Sequence, residues 1–200
     1  SIFAAGSTIR EKENGLLPAF YISGIKPVQY LFSRILPAMF SAMVSACILA
    51  WFSDPEVLDT KFGEILWYTI LNGNLTILGL YALTAFFLSI MSVCFSMIPA
   101  RFSSTMDGYS LSGAGLSLLL MVPPVWDVFS PLPDFFTWHP VVAAARLIKD
   151  PALLEPGLMT MDASVLPHML IVCGSWTLLS LILGLLSVRG MLRLKGGRSE

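Results

Sequence analysis

Apolar runs of spanning length alternate along this chain with short charged blocks, a pattern that predicts membrane helices joined by polar turns. The run 35–52, "ILPAMFSAMVSACILAWF", contains no ionisable group and ends beside Trp51, close to the ~20 residues needed to cross a hydrocarbon core. A second apolar stretch, 65–100, is too long for one crossing. It divides into an interfacial or re-entrant entry over 63–74, with Trp67, Tyr68 and "NGN", and a span over 75–98 closed by Pro99 and Arg101. A third span covers 109–125 and is broken by Pro123 and Pro124. The last, 166–188, leads into a polar tail, 189–200. The opening "SIFAAGSTI", 1–9, is too short to cross and reads as the end of a span, as expected of a chain truncated at its N-terminus.

Residues 126–165 are too polar to cross and too aromatic for a plain linker. Trp126, Phe129, Phe135, Phe136 and Trp138 suit a headgroup belt, and "VVAAARLIK" has the pattern of a short amphipathic surface helix. The expected fold is therefore all-α: one polytopic transmembrane bundle with an outer interfacial or re-entrant segment. Composition agrees, with 56% hydrophobic and 12% charged residues against roughly 25% charged in soluble domains. Cys47, Cys94 and Cys173 fall in separate apolar runs and read as packing thiols, which argues against a disulfide framework or a zinc site.

A net charge of −1 does not point to nucleic acid, but it hides a segregation. Arg10, Lys12, Lys26, Arg34, Arg101, Arg189, Arg193, Lys195 and Arg198 fall on one side of these spans, and Lys61, Arg146 and Lys149 on the other. The positive-inside rule places the first group, and the C-terminus, in the cytoplasm. No Asp, Glu, Lys, Arg or His lies mid-span, where ion coupling or intramembrane catalysis would place one. Asp127 and His168 stand at span ends and read as wetted interfacial groups, and His139 as structural. No metal-ligand spacing, hydrolase constellation or phosphate-binding loop is present.

The block 10–34, "REKENGLLPAFYISGIKPVQYLFSR", holds four of the twelve bases. Ser7 or Thr8 is a candidate helix cap with Glu11 at the helix's positive end, Gly15 and Pro18 break that helix, "SGIKP" turns the chain, and Tyr30 and Arg34 reach headgroup level. By itself the block is compatible with a plain juxtamembrane loop. Its sequence nevertheless resembles the cytoplasmic signature of type-2 ABC transporter permeases, exporters of drugs, antibiotics, lipids and polysaccharides. The matching positions are Glu11, Lys12, Glu13, Gly15, Leu16, Ser23 and Arg34, and "PLPDFFTWHPVVAAARLI" is similar to the family's outer re-entrant region. Pro18 and Gly24 depart from the pattern, which implies a shorter or kinked helix.

The resemblance implies that 10–34 contains a coupling helix seated in a separate ATPase subunit. Glu11, Lys12, Glu13 and Leu16 are then docking contacts, and Gly15 is the turn presenting them. It further implies a second permease copy, no cofactor bound by this chain, ATP-Mg in the partner, and no hydrolysis by this protein. Spans without charges suit a lipophilic or amphipathic solute, with Ser41, Ser45, Asn72, Asn74, Thr76 and Ser112 as polar positions along the helices. The alternative is a membrane scaffold whose charged block recruits a partner without nucleotide.

Overall fold

The computed structural model describes residues 2–52, 75–129, 134–149 and 165–193. Among them all regular structure is helical: α1 (Ile2–Glu13), α2 (Leu16–Ile22), α3 (Pro27–Phe52), α4 (Leu75–Phe102), α5 (Met106–Phe129), a 3-10 turn (Asp134–Trp138), α6 (Pro140–Lys149) and α7 (Val165–Arg193). Four stretches are long and apolar enough to cross a membrane: Pro27–Ile48, Tyr81–Phe102, Met106–Asp127 and Pro167–Leu192. The proposed entry over 63–74 lies outside the described residues, as do 150–164 and the tail from 194.

Prolines separate the expected boundaries from the observed ones. Pro27 and Pro140 open α3 and α6, while Pro18 and Pro167 are the third residues of α2 and α7. A first-turn N–H has no partner within its helix, so these prolines cost no hydrogen bond. Pro18 thus starts a helix where the sequence reading had it break one. Pro99, Pro123 and Pro124 lie inside α4 and α5, which run on to Phe102 and Phe129. An apolar surrounding favours keeping the remaining backbone bonds over fraying the helix. Trp126 and Phe129 consequently belong to the last turns of α5.

Glycine sets the true break. α1 ends at Asn14–Gly15, with Gly15 left-handed at φ 69°. After α2, the Gly24 N–H reaches Tyr21 O (3.2 Å) and the Ile25 N–H reaches Phe20 O (3.2 Å), with Gly24 at φ 78°. This is a Schellman ending, and Phe20 and Ile25 both pack on the core beside it. Gln29 Oε1 then accepts the Lys26 N–H at 3.0 Å and caps α3.

Helix α4 is the centre of the bundle, touching α1, α3, α5, α6 and α7. Of its candidate span 44% is buried, against 11% for α3 and 6% for α5, so those two turn most of their apolar surface outward. α4 and α7 run parallel and approach closely. A Cβ added to Gly184 would stand 3.1 Å from Cys94 Cβ and 3.2 Å from its Cα, the role small residues play between membrane helices. One to two turns on, Gly190 leaves room for the Arg101 guanidinium.

The principal core gathers at one end, from Ile9, Leu17, Tyr30, Leu31, Ile35, Met97, Tyr109, Val188 and neighbours. At the opposite end Trp176 Nε1 donates to Trp138 O (2.8 Å), the Trp138 ring meets His168 edge to face, and Val142, Ala143 and Ala144 of α6 are buried. His168 is half-buried in this packing, with a buried Nε2, in place of the wetted position expected of it. Beside it, His139 Nδ1 is buried without a partner, and burial lowers the imidazole pKa from its ordinary 6.5.

Gly184→Val is expected to lower stability by about 1–3 kcal/mol through overpacking, read as a lower melting temperature in detergent. Gly174→Ala, with nothing within 4 Å of the new Cβ, serves as the control and should not lower the melting temperature. His139 gives a pH signature. Unfolding restores its ordinary proton affinity, so its contribution is full above the ordinary value of 6.5 and is lost as pH falls toward the depressed native one. Melting temperatures compared at about pH 7.5 and about pH 5 should fall less in His139→Gln than in the wild type.

Candidate functional site: a three-way clamp beneath an exposed helix

The charged block folds into two parts, a clamp made by the last turn of α1 and the helix α2 carried on it. Ser7 and Thr8 do not cap a helix. They lie inside α1, and Glu11 is in its last turn, at the negative end of the dipole. What holds Glu11 there is α3. Its Oε1 pairs with Arg34 Nη2, and its Oε2 accepts the Tyr30 hydroxyl at 2.7 Å. Arg34 Nη1 also donates to Ser7 Oγ (3.0 Å), one turn before Glu11, and its guanidinium lies 5.1 Å from the Tyr30 ring centroid. The buried Thr8 Oγ1 is 3.1 Å from the Tyr30 oxygen and reaches Met97 Sδ on α4.

Lys12 turns to another helix. Its Nζ donates to the carbonyl oxygens of Ala100 (3.3 Å), Arg101 (3.1 Å) and Ser103. The last carbonyls of a helix have no intrahelical partners and carry its negative partial charge, so an ammonium there is favourable on both counts. Glu13 does the opposite at the next helix, where its Oε1 accepts the Met106 N–H (3.0 Å) that opens α5. Thr105 Oγ1 caps the same end through the Gly108 N–H (3.3 Å), and Asp107 adds negative charge in the first turn.

Of the sequence-predicted residues, Glu11, Lys12 and Glu13 are brought together on one turn but directed to three helices, with Glu11 and Lys12 half-buried. Gly15 makes the expected turn. Leu16 stays exposed at 43%, with Tyr21 at 55% and Ile22 at 84%, while Leu17 is buried beneath them. α2 therefore presents apolar side chains outward on a seven-residue helix. Tyr30, buried, and Arg34, half-buried, are parts of the clamp. Of the polar positions along the spans, Ser41 bonds to Ala38 O and Ser112 to Gly108 O within their own helices, while Asn72 and Asn74 lie outside the described residues.

Sequence reasoning missed the acceptors of Lys12 because they are backbone oxygens. The available signal was the short polar stretch "RFSST", which places a helix end and a helix start within a few residues. The cysteines are free, Cys94 and Cys173 buried, and no three metal-ligating side chains gather among the described residues.

A double-mutant cycle tests the clamp. Glu11→Ala and Arg34→Ala should each lower unfolding free energy by about 1.5–3 kcal/mol, and the double variant by clearly less than their sum. Additive losses in detergent denaturation would mean the pair does not couple α1 to α3. No protein-family model, curated protein or solved structure matches this chain.

Proposed function

We propose that this chain is the membrane permease of an ATP-driven ABC exporter, with α2 as the coupling helix that a separate ATPase subunit grips. The observation that carries the reading is α2 itself, a short helix with Leu16, Tyr21 and Ile22 exposed, fixed at its base to a turn that grips α3, α4 and α5. Apolar side chains facing water are costly unless a partner covers them. The sequence resemblance over Glu11–Leu16 supports the same assignment.

In this mechanism the clamp residues transmit and the α2 surface docks. Glu11 and Lys12 lie behind the docking face, so closure of a nucleotide-bound ATPase pair would push α2, and the clamp would pass the displacement to three spans as a unit. ATP-Mg binds and is hydrolysed in the partner. A second permease copy would complete the pathway, and the outward surface of α5 around Gly108, Ser110, Ser112 and Gly115 has the small residues that such packing uses. A charge-free path suits a lipophilic or amphipathic solute. The basic end, with Arg10, Lys12, Lys26, Arg34, Arg101 and Arg189, is the cytoplasmic one under the positive-inside rule.

The test is co-purification with an ATP-binding-cassette subunit encoded beside this chain, followed by ATPase assays in proteoliposomes. Leu16→Asp and Ile22→Asp should each abolish co-purification while leaving the melting temperature unchanged. Glu13→Lys should keep the partner bound yet uncouple ATP hydrolysis from transport, because a cation replaces the carboxylate at α5's positive end. A stable protein that binds no such ATPase would favour the scaffold reading.

A further inference from the structure

Beside α2 the structure holds a cleft of ≈ 630 Å³ that the transport reading does not use. One wall is the turn from Tyr21 to Val28, between α2 and α3, and the other is the last part of α7 with Leu185 and Arg189. Two cations from distant parts of the chain, Lys26 and Arg189, line the same space, and no carboxylate is among its lining residues. Both are exposed. The described acids at this end of the bundle are already placed, Glu11 on Arg34, Glu13 on the Met106 N–H and Asp107 in the first turn of α5. Two like charges lining one cleft, with no counter-ion to them among the described residues, call for an anion from outside.

The rest of the lining decides which anion. Ile25, Val28 and Leu185 give the cleft an apolar side, and it lies where two candidate spans meet their ends, at Pro27 and at Leu192. A free inorganic anion gains nothing from apolar walls. A phospholipid gains from both, with its phosphodiester between Lys26 and Arg189 and the upper part of an acyl chain along Val28 and Leu185.

We infer that this cleft is a binding site for an anionic phospholipid, held between Lys26 at the head of α3 and Arg189 near the end of α7. The site would tie α7 to the α2–α3 turn through a lipid, at the foot of the exposed helix. It depends only on the chain lying in a bilayer, not on its being an exporter, so the two readings fail separately.

Native mass spectrometry of the full chain in detergent, titrated with phosphatidylglycerol or phosphatidylcholine of identical acyl chains, tests it. The wild type should bind phosphatidylglycerol more tightly. Lys26→Gln and Arg189→Gln should each weaken that binding about fivefold, and together about 25-fold, at the ~1 kcal/mol expected per basic residue near an anionic surface. The charge-keeping pair Lys26→Arg with Arg189→Lys should retain it. Val28→Trp, which fills the cleft without altering charge, should lose it. Unchanged preference in the double glutamine variant, or in Val28→Trp, would overturn the site. Displacement of the lipid by excess inorganic phosphate would overturn it too, by showing a free-anion site.

Discussion

The packing at the basic end depends on three consecutive side chains of α1, fanned about 100° apart by the helix itself. Glu11 faces α3, Lys12 the end of α4, and Glu13 the start of α5. The order of charges follows from the loop they meet. Between Phe102 and Met106 the chain leaves a helix end rich in bare carbonyls and enters one rich in bare N–H groups. A neighbouring helix that covers both must present a cation and an anion in adjacent positions, and "KE" does so. Each contact replaces a water bond with a charge-assisted one, contributing about 0.3–1 kcal/mol at an exposed helix end and up to ~2 where partly buried.

Packing is unevenly distributed among the helices. α4 and α7 pack backbone to side chain at Gly184, and the clamp ties α1 to α4 at the same end. α3 and α5 touch this pair mainly on one side and keep most of their apolar surface outward. Among the four candidate spans α5 has the least of its surface covered, whereas α3 packs along α4 as extensively as α7 does.

The sequence carried the helical class and the four helices long and apolar enough to cross a membrane, because runs without charge over spanning length have few other physical solutions. It located the Gly15 and Gly24 turns for a good reason as well, since both adopt the positive φ that glycine tolerates. Prolines misled it. The same residue ends a helix, opens one or sits within one, depending on whether its missing N–H was needed, and that depends on where the helix starts. What separates Pro18 from Pro123 is the Gly15 break three residues before it, which puts Pro18 in the first turn of a new helix. The charges of the clamp misled it in another way, because Glu11 and Lys12 look solvated until α3 and the end of α4 are placed against them. Their partners lie 19 to 91 positions away in the chain, and those of Lys12 have no side-chain identity to read.

That last property bears on how such a chain can change over generations. Lys12 recognises carbonyl oxygens, which every residue type supplies, so Ala100, Arg101 and Ser103 can drift in identity without removing an acceptor. What they cannot do is move. One residue inserted between Phe102 and Met106 would keep every chemical group yet rotate α5 relative to α1 and carry the Met106 N–H away from Glu13. At this joint Lys12 and Glu13 must keep their charges and Ala100 its small size, while the carbonyl acceptors themselves require only the right spacing.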